Sequence, residues 1–466
     1  MQFTSYSFLF VFLPVTLLVY WLLPRPIWRL AFLTLASYVF LGYYDWRFVP
    51  LMIVAGTIAW VAGLALARTE SRRRRRWILA AALCASVAIL GYFKYRGFFL
   101  DSLSGFGHVL GLSTNLPALS ILLPVGISFY TFSAMSYVID VYRGDVKATH
   151  SIIRYSAFIA MFPRLTAGPI LRFGDVDEQF RHLPPKLTSP LAATGLYFFA
   201  CGMAKKLLVA DLMMPYVNHL FGLSAHLGLF SGWAAALGYT MQLYFDFSGY
   251  SDMAVGLAFL LGVRFPQNFD SPYKAENPSQ FWRGWHMTLS FWLRDYVYFP
   301  LGGSRRGLAM TVRNLMLTFL VAGIWHGAGW TFIVWGLLHG FYQSVHVLAR
   351  RVRLTPRNAW VNRFLTFVAV VVAWVFFRAP SLGVAVNVLK AMVGLNGVES
   401  VYHARVLIGW NFTLLIAAAL VWVNVMPNTW EIKVQPRLRY GLVFGLLLGA
   451  AVLTLSNPSP FLYLQF

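Results

Sequence analysis

Charge and cysteine are both scarce in this chain. Only 12% of its 466 residues are charged while 59% are hydrophobic, and the mean hydropathy is +0.63; an ordinary soluble domain carries about 25% charged residues. So little polar surface excludes a soluble enzyme. There are two cysteines, Cys84 and Cys201, both inside apolar stretches; they support neither a disulfide framework nor a thiolate metal site and read as two small hydrophobes. Strict apolar/polar alternation is also missing, and with it the signature of a transmembrane β-barrel. Acidic residues are few: 16 Asp+Glu stand against 38 Lys+Arg, a net charge of +22. In a soluble protein that excess would suggest nucleic acid. Here the aromatic residues sit in apolar runs rather than basic grooves, so no nucleic-acid partner is expected; the charge reads instead as cytoplasmic loops facing anionic headgroups of the lipid bilayer.

What is present in abundance is long Leu/Val/Ala/Phe runs. They fall at about 8–23, 30–44, 48–67, 78–93, 116–142, 152–162, 191–214, 229–247, 253–263, 315–325, 330–348, 364–377, 407–426 and 440–455. At roughly 20 apolar residues per crossing, the expected fold class is an all-α polytopic membrane protein with about ten or more transmembrane helices. Several runs are too short to span and read as re-entrant or interfacial pieces, which are tolerated only where protein or a water-filled cavity covers the irregular backbone. No basic residue precedes the first run, so it is expected to stay as the first span rather than be cleaved. Arg68 and Arg72 to Arg76 form a six-arginine loop that the positive-inside rule places in the cytoplasm. Counting back two spans puts Arg25 and Arg29 on the same side and the N-terminus outside. No internal repeat and no linker divides the chain. It is read as one domain over 1–466, with N-terminal spans 1–142, a central region with re-entrant segments 143–264, a catalytic region 265–348 and C-terminal spans 349–466.

The polar centre lies between Val263 and Arg313, where Arg264, Asp270, Lys274, Glu276, Arg283, His286, Arg294 and Asp295 sit among aromatics and a Gly302-Gly303 pair. The stretch 281–296 reads as one amphipathic helix, with Trp282, Trp285, Leu289 and Trp292 on one face and His286 and Ser290 on another. It could be an interfacial helix with an aromatic belt or part of a site. His326, in Gly323-Ile324-Trp325-His326-Gly327, lies between two apolar runs. An ionisable side chain at membrane depth is a functional candidate by default, although a neutral histidine satisfied by a backbone carbonyl would look the same. His339 and His346 read as packing residues. A neutral imidazole can take a proton from a hydroxyl and return it to a leaving group, and acyl transfer from a thioester needs little beyond alignment and an oxyanion donor. A Gly-x-Ser-x-Gly elbow, a phosphate-binding Gly-rich loop and a His-Glu-x-x-His helix are all missing; no ligand spacing supports a metal site, and no metal and no bound cofactor are assigned. The acids Asp140, Asp211, Asp246 and Asp252, with Lys205-Lys206, form a second set. Residues 242–252 read as a helix break that could position substrate, as in a transporter or flippase, or tie the fold together.

Ordered along the chain are Leu90-Gly91-Tyr92-Phe93-Lys94-Tyr95, Leu123-Pro124-Val125-Gly126-Ile127-Ser128-Phe129-Tyr130, Tyr137-Val138-Ile139-Asp140-Val141-Tyr142-Arg143-Gly144, Ala167-Gly168-Pro169, the segments 242–252 and 281–296, and Arg313-Asn314 leading to Gly323-Ile324-Trp325-His326-Gly327. This set resembles the membrane-bound O-acyltransferase (MBOAT) family, in the branch of the alginate O-acetyltransferase membrane subunit. The resemblance implies a helical funnel joining a cytoplasmic donor opening to an extracytoplasmic acceptor opening, His326 as catalytic base and His286 as the second catalytic histidine. Trp325, Ser290, Arg294, Asp295, Asn314 and Asp246 are the candidate substrate-binding residues. Two departures are visible: Arg283 is followed by Gly284 where relatives carry a second basic residue, and Arg164 stands where alginate-type relatives tend to have histidine. The function expected is transfer of an acetyl group from a cytoplasmic thioester, acetyl-CoA being the candidate donor, across the inner membrane for O-acetylation of an exported polysaccharide such as alginate. Extracytoplasmic acetyltransferase partner proteins are expected to receive the group. Teichoic-acid D-alanylation and peptidoglycan O-acetylation remain open within the family.

Overall fold

The computed structural model describes residues 1–111, 122–435, 437–455 and 461–462; the first part of the predicted run 116–142 lies outside the described residues. Among the described residues the chain is helical with no strand; a helix satisfies its backbone hydrogen bonds within its own segment, one of the two solutions that lipid allows. The helices are α1 (Leu13–Leu22), α2 (Pro26–Gly42), α3 (Phe48–Ala67), α4 (Arg72–Leu90), α5 (Arg96–Val109), α6 (Ile127–Arg143), α7 (Ile152–Ala160), α8 (Phe162–Leu165), α9 (Phe173–Arg181), α10 (Ser189–Ala204) and α11 (Asp211–Gly222). They continue with α12 (Leu229–Leu260), α13 (Pro278–Gly284), α14 (Met287–Leu293), α15 (Leu308–His326), α16 (Trp330–Arg351), α17 (Ala359–Arg378), α18 (Leu382–Met392), α19 (Val401–Ile408), α20 (Trp410–Val425) and α21 (Leu438–Leu453).

Among the described residues five helical stretches are long and apolar enough to cross a membrane: α3, the continuous Arg72–Val109, α15, α16 and α17. They become six if α19 and α20, bent by 82°, form one broken span. That bend sits at Gly409, whose φ of 74° lies in the left-handed region that favours glycine. It interrupts the predicted run 407–426. Shorter apolar helices, such as Pro26–Gly42 and Leu438–Leu453, account for other runs.

The chain folds as two compact units. The first comprises Met1–Gly195 and Leu257–Phe265. In it α3 packs against α4 and α6, and α2 against α7. Its buried cations are satisfied by carbonyls rather than acids. Arg29 donates to the carbonyls of Leu23, Pro184 and Pro185 at 2.7–2.8 Å, so this charge, used above to argue topology, is held inside protein. Arg164 donates to the carbonyls of Phe158 and Ile159 and to Ser133 Oγ. The guanidinium fork, with five donors and no acceptor, suits such a carbonyl cluster.

The second unit comprises Leu196–Gly256 and Pro266–Phe466, and two sequence expectations are corrected there. Residues 242–252 do not break a helix: they lie within α12, which runs unbroken for 32 residues. Its acids need no break because lysines meet them. The π-helical turn Lys205–Ala210 after α10 sets Lys205 Nζ 2.6 Å from Asp252 Oδ2 and Lys206 Nζ 2.6 Å from Asp246 Oδ1. Close approach is possible because Gly202 and Gly249 face each other; a Cβ on Gly202 would stand 2.5 Å from the Gly249 carbonyl oxygen. The stretch 281–296, in turn, is not one helix. It is α13, a break at Trp285-His286, α14 and a π-helical turn Arg294–Tyr298. The extended segment before it captures the backbone: Asp270 N–H donates to Gly284 O and Met287 N–H to Asn268 O, both at 2.9 Å. Trp282, Trp285, Leu289 and Trp292 are nonetheless all buried, so the predicted apolar face survives the break.

Candidate functional site

Helices α15 and α16 form an antiparallel hairpin closed by Gly327-Ala328-Gly329. Small residues let the two backbones touch. A Cβ on Gly323 would lie 2.4 Å from Phe332 O, and one on Gly336 would lie 2.4 Å from Phe319 O. His326 is the last residue of α15, only 4% exposed. Its imidazole is boxed by aromatic rings: Trp335 at 4.7 Å edge-to-face, Trp325 at 4.9 Å and Phe377 at 5.2 Å. Such edge-on ring contacts hold the imidazole in place.

His286 is reached by a different route. Its φ of 41° puts it in the left-handed region at the N-cap of α14. For a non-glycine residue that conformation is uncommon and held only by its surroundings. Asn268 supplies them. Its Oδ1 lies 3.1 Å from His286 Nδ1, accepts from Thr288 N–H at 3.3 Å and from Thr288 Oγ1 at 2.9 Å, while its Nδ2 donates to Ser251 Oγ at 3.0 Å. A backbone N–H can only donate, so the Asn268 atom facing Thr288 is the oxygen, and His286 Nδ1 must carry the proton toward it. Nε2 is thereby the basic nitrogen. A histidine oriented through one nitrogen so that the other can act as a base is the arrangement general base chemistry needs.

Trp325 links the two histidines, its ring centroid 4.9 Å from that of His326 and 6.1 Å from that of His286. Of the predicted substrate-binding residues it alone has a ring contact with both. His339, read above as a packing residue, continues the cluster through Trp335, 4.9 Å away. Trp282 Nε1 donates to its Nδ1 at 3.2 Å, and because an indole N–H can only donate, His339 carries its proton on Nε2. Its tautomer is the reverse of that of His286. Among the described residues no group of three His, Cys, Asp or Glu side chains is gathered to hold a metal.

The other predicted residues are placed as follows. Ser290 N–H donates to the carbonyl of His286 at 3.0 Å, closing the first turn of α14. Arg294 pairs with Asp295 at 2.7 Å and lies over the rings of Phe291 and Phe299. Asn314 is fully buried and pins the glycine turn: its Nδ2 donates to Gly303 O at 2.8 Å and its Oδ1 accepts from Arg313. Asp246 also accepts from Leu462 N–H at 3.0 Å, and Lys206 reaches Asp211 at 2.8 Å as well. Asp252 accepts from Thr429 Oγ1 at 2.7 Å. Lys205 lines an apolar cavity of about 420 Å³ with Tyr197, Tyr244, Trp422 and Thr429; neither His286 nor His326 lines it. Helix α12 nonetheless joins the acid–lysine pairs to the histidine site: Phe247, next to Asp246, lies edge-on 4.7 Å from the His286 ring, and Ser251, next to Asp252, accepts from Asn268. Sequence reading missed Asn268, Trp335 and Phe377. The first is a lone amide in an irregular segment with no periodicity to mark it, and the other two read as ordinary members of apolar runs.

Comparison with known proteins adds to this geometry. The family profile described as "MBOAT, membrane-bound O-acyltransferase family" matches residues 146–385. A protein named "Probable alginate O-acetylase AlgI" from Azotobacter vinelandii is 44% identical over 395 residues, covering 84% of this chain and 78% of the relative. Its namesake from Pseudomonas putida is 40% identical over 493 residues and covers 100% of both chains. The "Peptidoglycan O-acetyltransferase" of Helicobacter pylori is 37% identical over 433 residues, covering 85% of this chain and 80% of its own. With two buried histidines joined by Trp325 inside the matched region, and relatives of this identity along most of its length, the chain belongs to the membrane-bound O-acyltransferase family and is a multi-pass membrane O-acyltransferase.

Proposed function

We propose that the chain takes an acetyl group from a cytoplasmic thioester, with acetyl-CoA as the donor, and delivers it across the inner membrane for O-acetylation of an exported polysaccharide such as alginate. His326 acts as the base: its imidazole accepts the proton of the attacking hydroxyl, the new C–O bond forms as the C–S bond breaks, and the proton passes to the departing sulfur. The hydroxyl belongs either to the polymer or to an extracytoplasmic acetyltransferase that relays the group. His286, oriented by Asn268, is the second catalytic histidine, and Trp325 between them positions the acyl group. In this orientation the N-terminus is extracytoplasmic and Arg72 to Arg76 lie in the cytoplasm.

The observation that carries the reading is the placement of His326, buried at the end of α15 among the rings of Trp335, Trp325 and Phe377, with Trp325 joining it to His286. The names of the relatives point to the polysaccharide class. The test is to incubate the purified chain with labelled acetyl-CoA and alginate, with and without the extracytoplasmic transferase. Label should appear as an ester on the polymer or the partner. Uptake of label into proteoliposomes without covalent transfer would support transport instead.

A further inference from the structure

Helix α4 starts with five consecutive arginines, Arg72 to Arg76, in the first turns of a helix with no acidic residue there. That is the wrong end for cations, because the helix N-terminus carries the positive pole of the macrodipole, and neighbouring like charges repel as well. One of the five is used internally: Arg75 donates to Leu66 O at 2.7 Å and to Tyr142 O at 2.8 Å and lies over the Tyr142 ring, tying the end of α3 to that of α6. The other four are exposed, and among the described residues no ion pair is formed by any of them.

Directly below this cluster, α3 and α4 enclose an open apolar groove of about 590 Å³, lined by Ile53, Val54 and Val61 from α3 and by Ile78 and Ala81 from α4. It runs along α3 from Ile53 to Ala65, about 18 Å at ~1.5 Å per residue, close to the ~15 Å hydrocarbon depth of one leaflet. Protein covers little of this region: only 11% of the apolar window in Arg72–Val109 is buried. Helical periodicity sets two arginines at the mouth. Arg68 follows Val61 by seven residues and Ala65 by three, and Arg74 precedes Ile78 by four and Ala81 by seven, so each shares the groove face of its helix. Trp77, 66% exposed, stands beside Arg76, the level at which tryptophan anchors in a membrane interface.

We propose that this groove is a binding site for one anionic phospholipid, with an acyl chain between α3 and α4 and the headgroup phosphate held by Arg68 and Arg74. Charge complementarity selects the occupant. A planar guanidinium recognises phosphate bidentately, and a headgroup that keeps its net negative charge offsets the arginines and the helix pole together, which a zwitterionic headgroup does less well.

The test is native mass spectrometry of the full chain extracted from bilayers of equal phosphatidylglycerol and phosphatidylcholine. At least tenfold preferential retention of one phosphatidylglycerol is expected. Arg68→Gln with Arg74→Gln should cut that retention severalfold, and Ala81→Trp, which fills the groove and leaves the arginines, should cut it as well. Arg72→Gln with Arg73→Gln, off the groove face, should change it less than twofold and controls for folding and for general charge. Equal retention of the two lipids, or unchanged phosphatidylglycerol in the Arg68/Arg74 double variant, overturns the site. Displacement of the lipid by coenzyme A or by inorganic phosphate at millimolar concentration would also overturn it, assigning the cluster to the thioester donor or to a soluble anion.

Discussion

His286 Nδ1 lies 3.1 Å from the side-chain oxygen of Asn268. That contact joins a left-handed backbone position, a break between two short helices and the tautomer of a buried histidine. Oriented histidines lose function when their supporting partner is removed, typically by 10–100-fold in metal sites of comparable design. Asn268→Ala is therefore expected to lower kcat for acetyl transfer by about 10–100-fold with a smaller change in KM. Asn268→Asp, whose carboxylate can accept the same hydrogen bonds, should recover much of the loss. Steady-state kinetics of the two variants checks this; equal activity in Asn268→Ala and the native chain would remove Asn268 from the site.

Close packing of α15 on α16 sets where His326 stands. A methyl group at Gly323 would meet Phe332 O at 2.4 Å, and backbone cannot yield as a flexible side chain can. Gly323→Ala should cost about 1–3 kcal/mol and reduce acetyl transfer by displacing the imidazole. Gly91→Ala, with nothing within 4 Å of its new methyl, should leave both unchanged. Thermal unfolding in detergent micelles, paired with an activity assay, measures the contrast.

The Lys205–Asp252 pair separates a structural role from a transport role. Asp252→Ala leaves Lys205 without its carboxylate and is expected to destabilise the chain by about 3–5 kcal/mol. Lys205→Met with Asp252→Leu removes both charges and should restore most of that stability, and with it acetyl transfer. A stable double variant devoid of activity would place the pair in the reaction itself.

Membrane class and the position of His326 were legible from sequence for a simple reason. Long Leu/Val runs have one solution in lipid, and a histidine between two of them stands out by composition alone. The break at His286 was not legible, because the group that holds it, the Asn268 side-chain oxygen accepting from His286 Nδ1, lies 18 residues earlier, and helical periodicity continues undisturbed across it. The unbroken course of α12 was hidden for a related reason: Asp246 and Asp252 look like breakers until Lys205 and Lys206, some 40 residues away, are known to meet them. The box around His326 borrows Trp335 from α16 and Phe377 from α17, and nothing in a local window distinguishes those rings from other core aromatics.

The account rests on His326 as the base that moves an acyl group, and one measurement bears on it most directly: transfer of labelled acetyl from acetyl-CoA to polymer or partner by purified His326→Ala, beside a native control of matched thermal stability. The variant is expected to form no ester above background while His286→Ala retains a reduced rate. Ester formation by His326→Ala at the native rate would contradict the account.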